Sequence, residues 1–457
     1  MHRPPRMPDK LRGKDSTTQG QHDSNIGSLR CLEVRLEAMV KLSFMGGTHE
    51  VGRNAVLLNS NEAKLLLEYG VRVGEPTEFP AHVRAKELDG IILAHAHLDH
   101  SGGIPMFYLS EKKPLFCTRT TAGISKILVE DMIKLNNYYL PFEYIELDNM
   151  LKQRNDLIYG QEVKLKDINF SLLNAGHIPG SAMVDLEVNG KNILYTSDFN
   201  IVETRLCHAA KTPKKKYDAV IIESTYATHD HPERKQLEID FVKSIKDVIN
   251  EGGKVLVPAF AIGRSQEMYS ILDAQRFEGI IVIDGMARAM NRVLLDNPEA
   301  VKMPSTFEQA SLKVQEVRGW RDRRKALAQA NVIIAPSGML QGGTAVFYME
   351  KMAMRPENAV FLVSFQVPGT GGSKLLETGM FSIAEQEEKV TAKVRHFDFS
   401  SHTGASGLQT FIKGLKGKPE MFVIHGEPES CDFLAQWCQD EVGLKAHAPN
   451  QGDEFQI

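Results

Sequence analysis

The run His95-Ala-His97-Leu-Asp99-His100 constrains this chain more than any other stretch of it. It follows directly on the apolar run Gly90-Ile-Ile-Leu-Ala94. A buried strand ending there delivers four potential ligands into one loop. Side chains alternate along an extended chain, so His95 and His97 fall on one side, while Asp99 and His100 can turn toward a second position. Imidazole nitrogen and carboxylate oxygen together suit zinc, and also manganese or iron. Three His and an Asp within six positions is a dense cluster for a chain with 15 His. That density argues against a polar loop with incidental histidines.

Composition sets wide bounds. The 457 residues allow two or three domains, and 42% hydrophobic with 25% charged residues is ordinary for a soluble globular protein. A net charge of −4 neither favours nor excludes a nucleic-acid binder, because a local groove decides phosphate contact. The five cysteines, Cys31, Cys117, Cys207, Cys431 and Cys438, are scattered and form no CxxC pair. A disulfide framework and a Cys-based zinc finger are therefore not expected, and reduced thiols in a cytoplasm are the simplest reading. No apolar run approaches the ~18 residues that span a bilayer. Residues 1–38 are polar and rich in Pro, Gly, Ser and charge, with no apolar h-region. They are expected to be a disordered, dispensable extension, and not a secretory signal. Regular structure is expected from Met39 onward.

Short apolar runs then alternate with turns. Strands are expected at 54–59, 63–68, 90–94, 170–175, 192–196 and 219–222, and helices at 121–135 and 233–250. From about Lys211 strand and helix alternate more regularly, as in βα units around a parallel sheet: strands at 254–258, 279–284, 331–336 and 359–365, and a helix at 263–273. A strand at 421–424 and a helix from 427 to about 439 close the pattern. His177, in Ala-Gly-His-Ile-Pro-Gly-Ser, and Asp198, in Tyr-Thr-Ser-Asp-Phe, each follow an expected strand and stand as further potential ligands.

The HxHxDH run resembles the signature of the metallo-β-lactamase superfold, and His177 and Asp198 follow it in the family's order. By that resemblance His95, His97 and His177 hold one metal, Asp99 and His100 the other, and Asp198 bridges them. A shared carboxylate and hydroxide lower the repulsion of two dications, and the hydroxide is a nucleophile near neutral pH. Glu68, in Leu-Leu-Leu-Glu-Tyr-Gly, stands where the family usually has an Asp that supports the ligand loop; Glu is a departure. Val220-Ile-Ile-Glu223-Ser-Thr-Tyr, Phe399-Ser-Ser-His402-Thr-Gly and Phe422-Val-Ile-His425-Gly-Glu look like motifs A, B and C of the β-CASP nucleases. The block Pro258-Ala-Phe-Ala-Ile-Gly263-Arg264-Ser-Gln-Glu267 is similar to the endonuclease subunit of the cleavage and polyadenylation specificity factor. It resembles the archaeal relatives of that subunit even more.

The resemblance covers Met39 to the C-terminus. It implies a four-layer αβ/βα fold over 39–208 and 393–457, interrupted by a β-CASP α/β cap at 209–392. It implies two zinc ions, an RNA substrate, and His402, oriented by Glu223, as the acid that protonates the leaving 3′-oxygen. His425, completing the second metal set, is typical of RNA-acting members, whereas DNA-repair members usually carry Val there. A DNA nuclease and a non-catalytic RNA-processing scaffold are the alternatives; the second would have lost ligands, and here every ligand position is filled. A homodimer is implied by resemblance alone. Endonuclease and 5′→3′ exonuclease modes stay open, as does a place in RNA 3′-end processing or decay.

Weaker signals remain. Ser337-Gly-Met-Leu-Gln-Gly342-Gly343 precedes a helical run and is either a phosphate-binding turn or a plain strand-to-helix turn. Arg264 either meets an RNA phosphate or caps a helix. The basic clusters Lys214–Lys216 and Arg318–Lys325 read first as solvated faces and second as RNA contacts. His49 reads as a loop residue near the site, not as a ligand. Trp320 and Trp437 carry no specific signal.

Overall fold

The computed structural model describes residues 40–74, 76–135, 140–383 and 385–457. The expected extension 1–38, and Met39 itself, lie outside the described residues. From Val40 on, two seven-stranded sheets pack face to face. The first runs in the order Glu454–Gln456, Lys41–Gly46, Ala55–Asn59, Lys64–Leu67, Gly90–Ile92, Leu115–Cys117, Arg154–Asp156. The second runs Ala446–His447, Glu420–Ile424, Ala219–Glu223, Lys191–Tyr195, Ala182–Val188, Ile168–Asn174, Val163–Leu165.

The period-2 alternation of the strands explains the layering. Leu42, Phe44, Val56, Leu58, Leu65 and Leu67 face inward and meet Phe170, Leu172, Val184, Ile193, Ile221 and Phe422 of the other sheet. Phe44 and Phe422 lie 5.4 Å apart, ring centre to ring centre. Truncating a fully buried ring such as Phe422 costs about 3–5 kcal/mol. The opposite faces pack on helices. Ile91, Leu93 and Leu115 lie in one cluster with Val129 and Met132 of Arg119–Leu135 and with Leu147 and Met150 of Tyr144–Lys152. Leu194, Val220 and Val423 cluster with Leu408 and Phe411 of Ala405–Gly414 and with Leu434 of Pro428–Trp437. The result is helix, sheet, sheet, helix, the four-layer αβ/βα arrangement.

A third sheet has six strands, all parallel: Gln315–Glu316, Ile281–Ile283, Val332–Ala335, Val255–Pro258, Ala359–Leu362, Lys393–His396. Both of its faces are buried, as parallel sheets require. Val255, Val257, Ile283 and Ile334 pack toward the helices Arg234–Asn250 and Arg264–Ala274. Leu256, Val282 and Ile333 pack toward Gly343–Met352.

The insertion differs from the expected 209–392 at both ends. Ala219–Glu223 pairs in parallel with Lys191–Tyr195 and with Glu420–Ile424, so it belongs to the second sheet. Lys393–His396 pairs with Ala359–Leu362 and completes the third sheet. An apolar run such as Ala219–Glu223 carries no local mark of which sheet it joins, and the polar Lys393–His396 carries no strand pattern at all. Among the described residues no helix is long and apolar enough to cross a membrane, and Cys117, Cys207, Cys431 and Cys438 are buried and unpaired.

Candidate metal centre and active site

The loop that carries the first motif is clamped from behind. The strand Gly90–Ile92 runs out into Leu93–His97, and the short helix Leu98–Ser101 follows with Asp99 in its first turn and His100 in its last. The Asn54 amide donates to the Asp99 carbonyl at 2.8 Å, and the Tyr69 amide to the His100 carbonyl at 3.0 Å. Gly70 makes this approach possible, since a Cβ there would lie 1.6 Å from the Asp99 carbonyl oxygen.

Strand ends deliver the remaining groups. His177 follows Ile168–Asn174, Asp198 follows Lys191–Tyr195, Glu223 ends Ala219–Glu223, and His425 follows Glu420–Ile424. All of these lie on one edge of the second sheet. His95, His100, His177, Asp198 and His425 are each 3% exposed or less. Asp198 sits in their midst: Oδ2 is 3.3 Å from His95 Nε2, 3.4 Å from His100 Nε2 and 3.7 Å from His177 Nε2, and Oδ1 is 3.3 Å from His425 Nδ1. His177 Nε2 faces His97 Nδ1 at 3.1 Å, and His100 Nε2 faces His425 Nε2 at 3.2 Å. Asp99 Oδ2 is 3.4 Å from His425 Nε2. Two ligand sets result, His95–His97–His177–Asp198 and Asp99–His100–His425, each with its donor atoms within 4.8 Å of one another.

The donor set fits cations. His95 Nε2 and Asp198 Oδ1 are buried and have no hydrogen-bond partner, a state that costs about 1–3 kcal/mol per group unless something satisfies them. The ring nitrogens turned away from the centre are engaged: His95 Nδ1 with Ser197 Oγ at 3.2 Å, His100 Nδ1 with Glu68 Oε2 at 2.6 Å, and His177 Nδ1 with the Ser401 carbonyl at 3.0 Å. Such outer bonds fix the tautomer that leaves Nε2 free for a metal. Burial, and then the charge of His95, hold His97 down at about 3. Burial and the His402 charge push His177 well below the usual imidazole range, so both rings are neutral. Burial also opposes the charged form of Asp99 and Asp198, but the surrounding imidazoles outweigh it and both carboxyls stay ionised.

Glu68, fully buried, is the hub behind the cluster. It accepts hydrogen bonds from His100 Nδ1, from Ser197 Oγ at 3.0 Å, from Asn54 Nδ2 at 3.0 Å and from the Tyr195 hydroxyl. Asn54, Tyr195 and Ser197 escaped the sequence reading. Tyr195 and Ser197 flank Asp198 within the quoted motif and could have been found there, whereas Asn54 offers no signal.

The second pair is also formed. Glu223 accepts from the Phe199 amide at 2.8 Å, from Thr225 Oγ1 at 2.6 Å and from His402 Nδ1 at 2.8 Å. His402 Nε2 is thereby turned toward Asp198 Oδ2, 3.8 Å away. Burial works against a charged His402 ring, but the carboxylates of Glu223 and Asp198 outweigh it and raise the group to about 9.

Arg264 is 8% exposed and lines a cleft with His97, His177, Ile178, Phe260 and Ser401. Its Nε lacks a hydrogen-bond partner. Burial, then the neighbouring Arg234, lower its guanidinium to about 10, which leaves it charged at neutral pH. Ser337, Gly342 and Gly343 are not among the residues lining that cleft. Ser337 Oγ accepts from the Gln341 amide at 3.1 Å within its own turn, and Gly343, at φ 71°, closes that turn against the Pro336 carbonyl. His49 pairs with Asp432 at 3.1 Å and is absent from both ligand sets.

Comparison with known proteins places this arrangement. Family models match as the Beta-Casp domain over residues 265–375, the Zn-dependent metallo-hydrolase RNA specificity domain over 387–449, and the anti-Pycsar protein Apyc1 over 43–237. Saccharolobus solfataricus RNase aCSPSF2 is 35% identical over 420 residues, 91% of this chain and 85% of that protein. A probable RNase MJ4 of Methanocaldococcus jannaschii is 33% identical, covering 92% of this chain and all of its own length. The transcription termination factor FttA of Pyrococcus horikoshii is 31% identical over 92% of this chain and 71% of its own. Among solved structures, a protein of unknown function from Enterococcus faecalis V583 shares the fold with a TM-score of 0.58 at 13% identity, over 92% of this chain and all of that one. With two RNases at 35% and 33% identity covered over 85% and 100% of their length, the chain belongs to the β-CASP family of metallo-β-lactamase-fold ribonucleases.

Proposed function

We propose that this chain is a zinc-dependent ribonuclease that holds two zinc ions and hydrolyses phosphodiester bonds in RNA, in 3′-end processing or decay. The observation that carries the reading is the position of one carboxylate, Asp198, within 3.4 Å of both His95 and His100, with a ligand set on either side of it. His95, His97 and His177 would hold one ion and Asp99, His100 and His425 the other, with Asp198 shared. Zinc so held supplies Lewis acidity toward a phosphoryl oxygen and a water that is nucleophilic near neutral pH.

The protein's own groups supply the rest. His402 carries a proton on Nε2 and is kept upright by Glu223 through Nδ1. As the water oxygen bonds to phosphorus, the bond from phosphorus to the 3′-oxygen breaks and its electron pair stays on that oxygen. The oxygen takes the Nε2 proton, which leaves a 3′-hydroxyl and a 5′-phosphate. The proton lost by the attacking water passes to solvent, which recharges His402. Arg264, charged and lacking a partner for Nε, meets a phosphate oxygen in the cleft. RNA is favoured over DNA by the names of the relatives, by the matched RNA specificity domain and by His425 at the motif C position.

Elemental analysis together with a labelled-RNA assay tests this. Two zinc per chain and cleavage abolished by a chelator are expected. His402→Ala should keep both zinc ions and slow cleavage by roughly 10²–10⁴-fold; an unchanged rate would remove His402 from the chemistry. Cutting of circular RNA would establish the endonuclease mode, and a 5′-phosphate-dependent ladder from linear RNA the exonuclease mode.

A further inference from the structure

At the carboxyl edge of the third sheet stands an exposed aromatic residue that the site above does not use. Trp320 opens the helix Trp320–Gln329 and is 64% exposed. Its surroundings are fixed. The Arg323 guanidinium lies over the indole at 5.0 Å, and Phe347 meets it edge-on at 5.3 Å. Arg323 is itself anchored to Asp284 by Nε–Oδ2 at 2.7 Å, and the Tyr348 hydroxyl donates to the same oxygen at 2.9 Å. Asp284 is 2% exposed, so the anchor is buried.

The strand order ties this patch to the cleft. Because the third sheet is parallel, the carboxyl ends of Gln315–Glu316, Ile281–Ile283, Val332–Ala335 and Val255–Pro258 lie along one edge in that order. The first and last of these strand ends are three strand spacings apart, or ~14 Å; Trp320 lies four residues beyond the first and Arg264 six beyond the last. The turn that begins at Ser337 reaches toward both: a Cβ on Gly338 would lie 3.0 Å from the Phe260 amide nitrogen, Phe260 lines the cleft with His97 and His177, and the turn leads into Gly343–Met352, which carries Phe347. Arg318, Arg321, Arg324 and Lys325 lie within five residues of Trp320 in the chain, and all four are exposed.

We infer that Trp320, braced by Arg323 and Phe347, is a stacking platform for a base of single-stranded RNA, a few nucleotides from the scissile phosphate. This rests on the ribonuclease reading. An exposed indole leaves apolar surface in water in the free protein, a cost that a stacked base removes. Its bracing also means little side-chain freedom is lost on binding. Every base has a π-face, so the platform takes RNA without sequence preference, while the four cations follow the backbone.

The chain has two tryptophans, so a Trp437→Phe background makes emission report on Trp320 alone. In that background, a cleavage-resistant phosphorothioate oligouridylate should quench the emission with a salt-dependent, saturating curve. Adding Trp320→Ala should weaken binding of the same labelled oligonucleotide, read by anisotropy, by roughly 5- to 150-fold. Trp320→Phe should restore most of it. Anisotropy that reports bound RNA without a change in emission overturns the platform. So does emission that shifts only with protein concentration, which would mean that a second copy covers Trp320. Cleavage measured in parallel separates the two ideas: cleavage without quenching removes the platform and leaves the nuclease, and quenching without cleavage does the reverse.

Discussion

The two ligand sets are built differently. In His95–His97–His177 every donor is an imidazole nitrogen, and the outer bonds run to a serine hydroxyl and a backbone carbonyl close to the second sheet. In Asp99–His100–His425 the carboxylate is 29% exposed. His100 leans on the buried Glu68, and His425 adopts φ 52°, a strained conformation for a residue with a side chain. The first set is the nitrogen-rich one, and its His97 and His177 line the cleft. The second is held by charge and opens to solvent. With an ion in each set, as proposed, the second, which leans on the Glu68 charge and on a strained His425, is expected to hold its ion less tightly and to be the one perturbations reach.

The largest effect should come from the group both sets share. Asp198→Ala is expected to remove both zinc ions and take RNA cleavage to background; a variant that retains two zinc by elemental analysis would show that the sets are independent. Glu68→Gln comes next. It removes the charge behind His100, 2.6 Å away, and that near His95, 3.6 Å away. Zinc affinity should fall roughly 10- to 100-fold, more at the second set, giving two separated steps in a chelator titration. Equal losses at both sets would erase the distinction drawn here. Gly70→Ala acts only through the backbone. Its Cβ would overlap the Asp99 carbonyl, so the loop must shift, at a cost of about 1–3 kcal/mol of unfolding free energy, read as a lowered denaturant midpoint. The looser ion should be lost first.

The smallest effect concerns pH. His402 is raised in the folded chain to about 9. Its pairing with Glu223 therefore stabilises the metal-free fold fully below the ordinary imidazole range, and this contribution is lost as pH rises toward 9. His402→Gln should flatten that stretch of the stability profile of chelated protein. An unaltered slope would assign the dependence to another group.

The ligand positions are legible because each stands where an apolar strand runs out, so a local pattern and its order suffice. Four of the third sheet's six strands are equally plain as apolar runs, whereas Gln315–Glu316 and Lys393–His396 carry no such pattern. What failed was their membership: Ala219-Val-Ile-Ile-Glu223 and Val332-Ile-Ile-Ala335 are nearly the same string, yet they join different sheets. Pairing is set by contacts distant in sequence, so the cap boundary fell too early at both ends. The edge strand Arg154–Asp156 was missed because it has no apolar residue and all three of its side chains are exposed. Asn54 is silent for a related reason: one amide before a strand has no meaning until Glu68 and Tyr195 arrive beside it. Trp320 lacked a signal because its role depends on Phe347 and Asp284, neither of which is near it in the chain.

His425 meets His100 across 325 positions of sequence, and this long closure bears on synthesis. A ribosome releases the motif loop early, but the strand Glu420–Ile424 can dock on Ala219–Glu223 only after the whole cap has emerged. Until then the centre has His95, His97, His100 and His177 but lacks His425, and one flank is open. The nascent polypeptide is thus disarmed while it is still tethered to the message that encodes it, and the proposed activity switches on only once translation has passed His425.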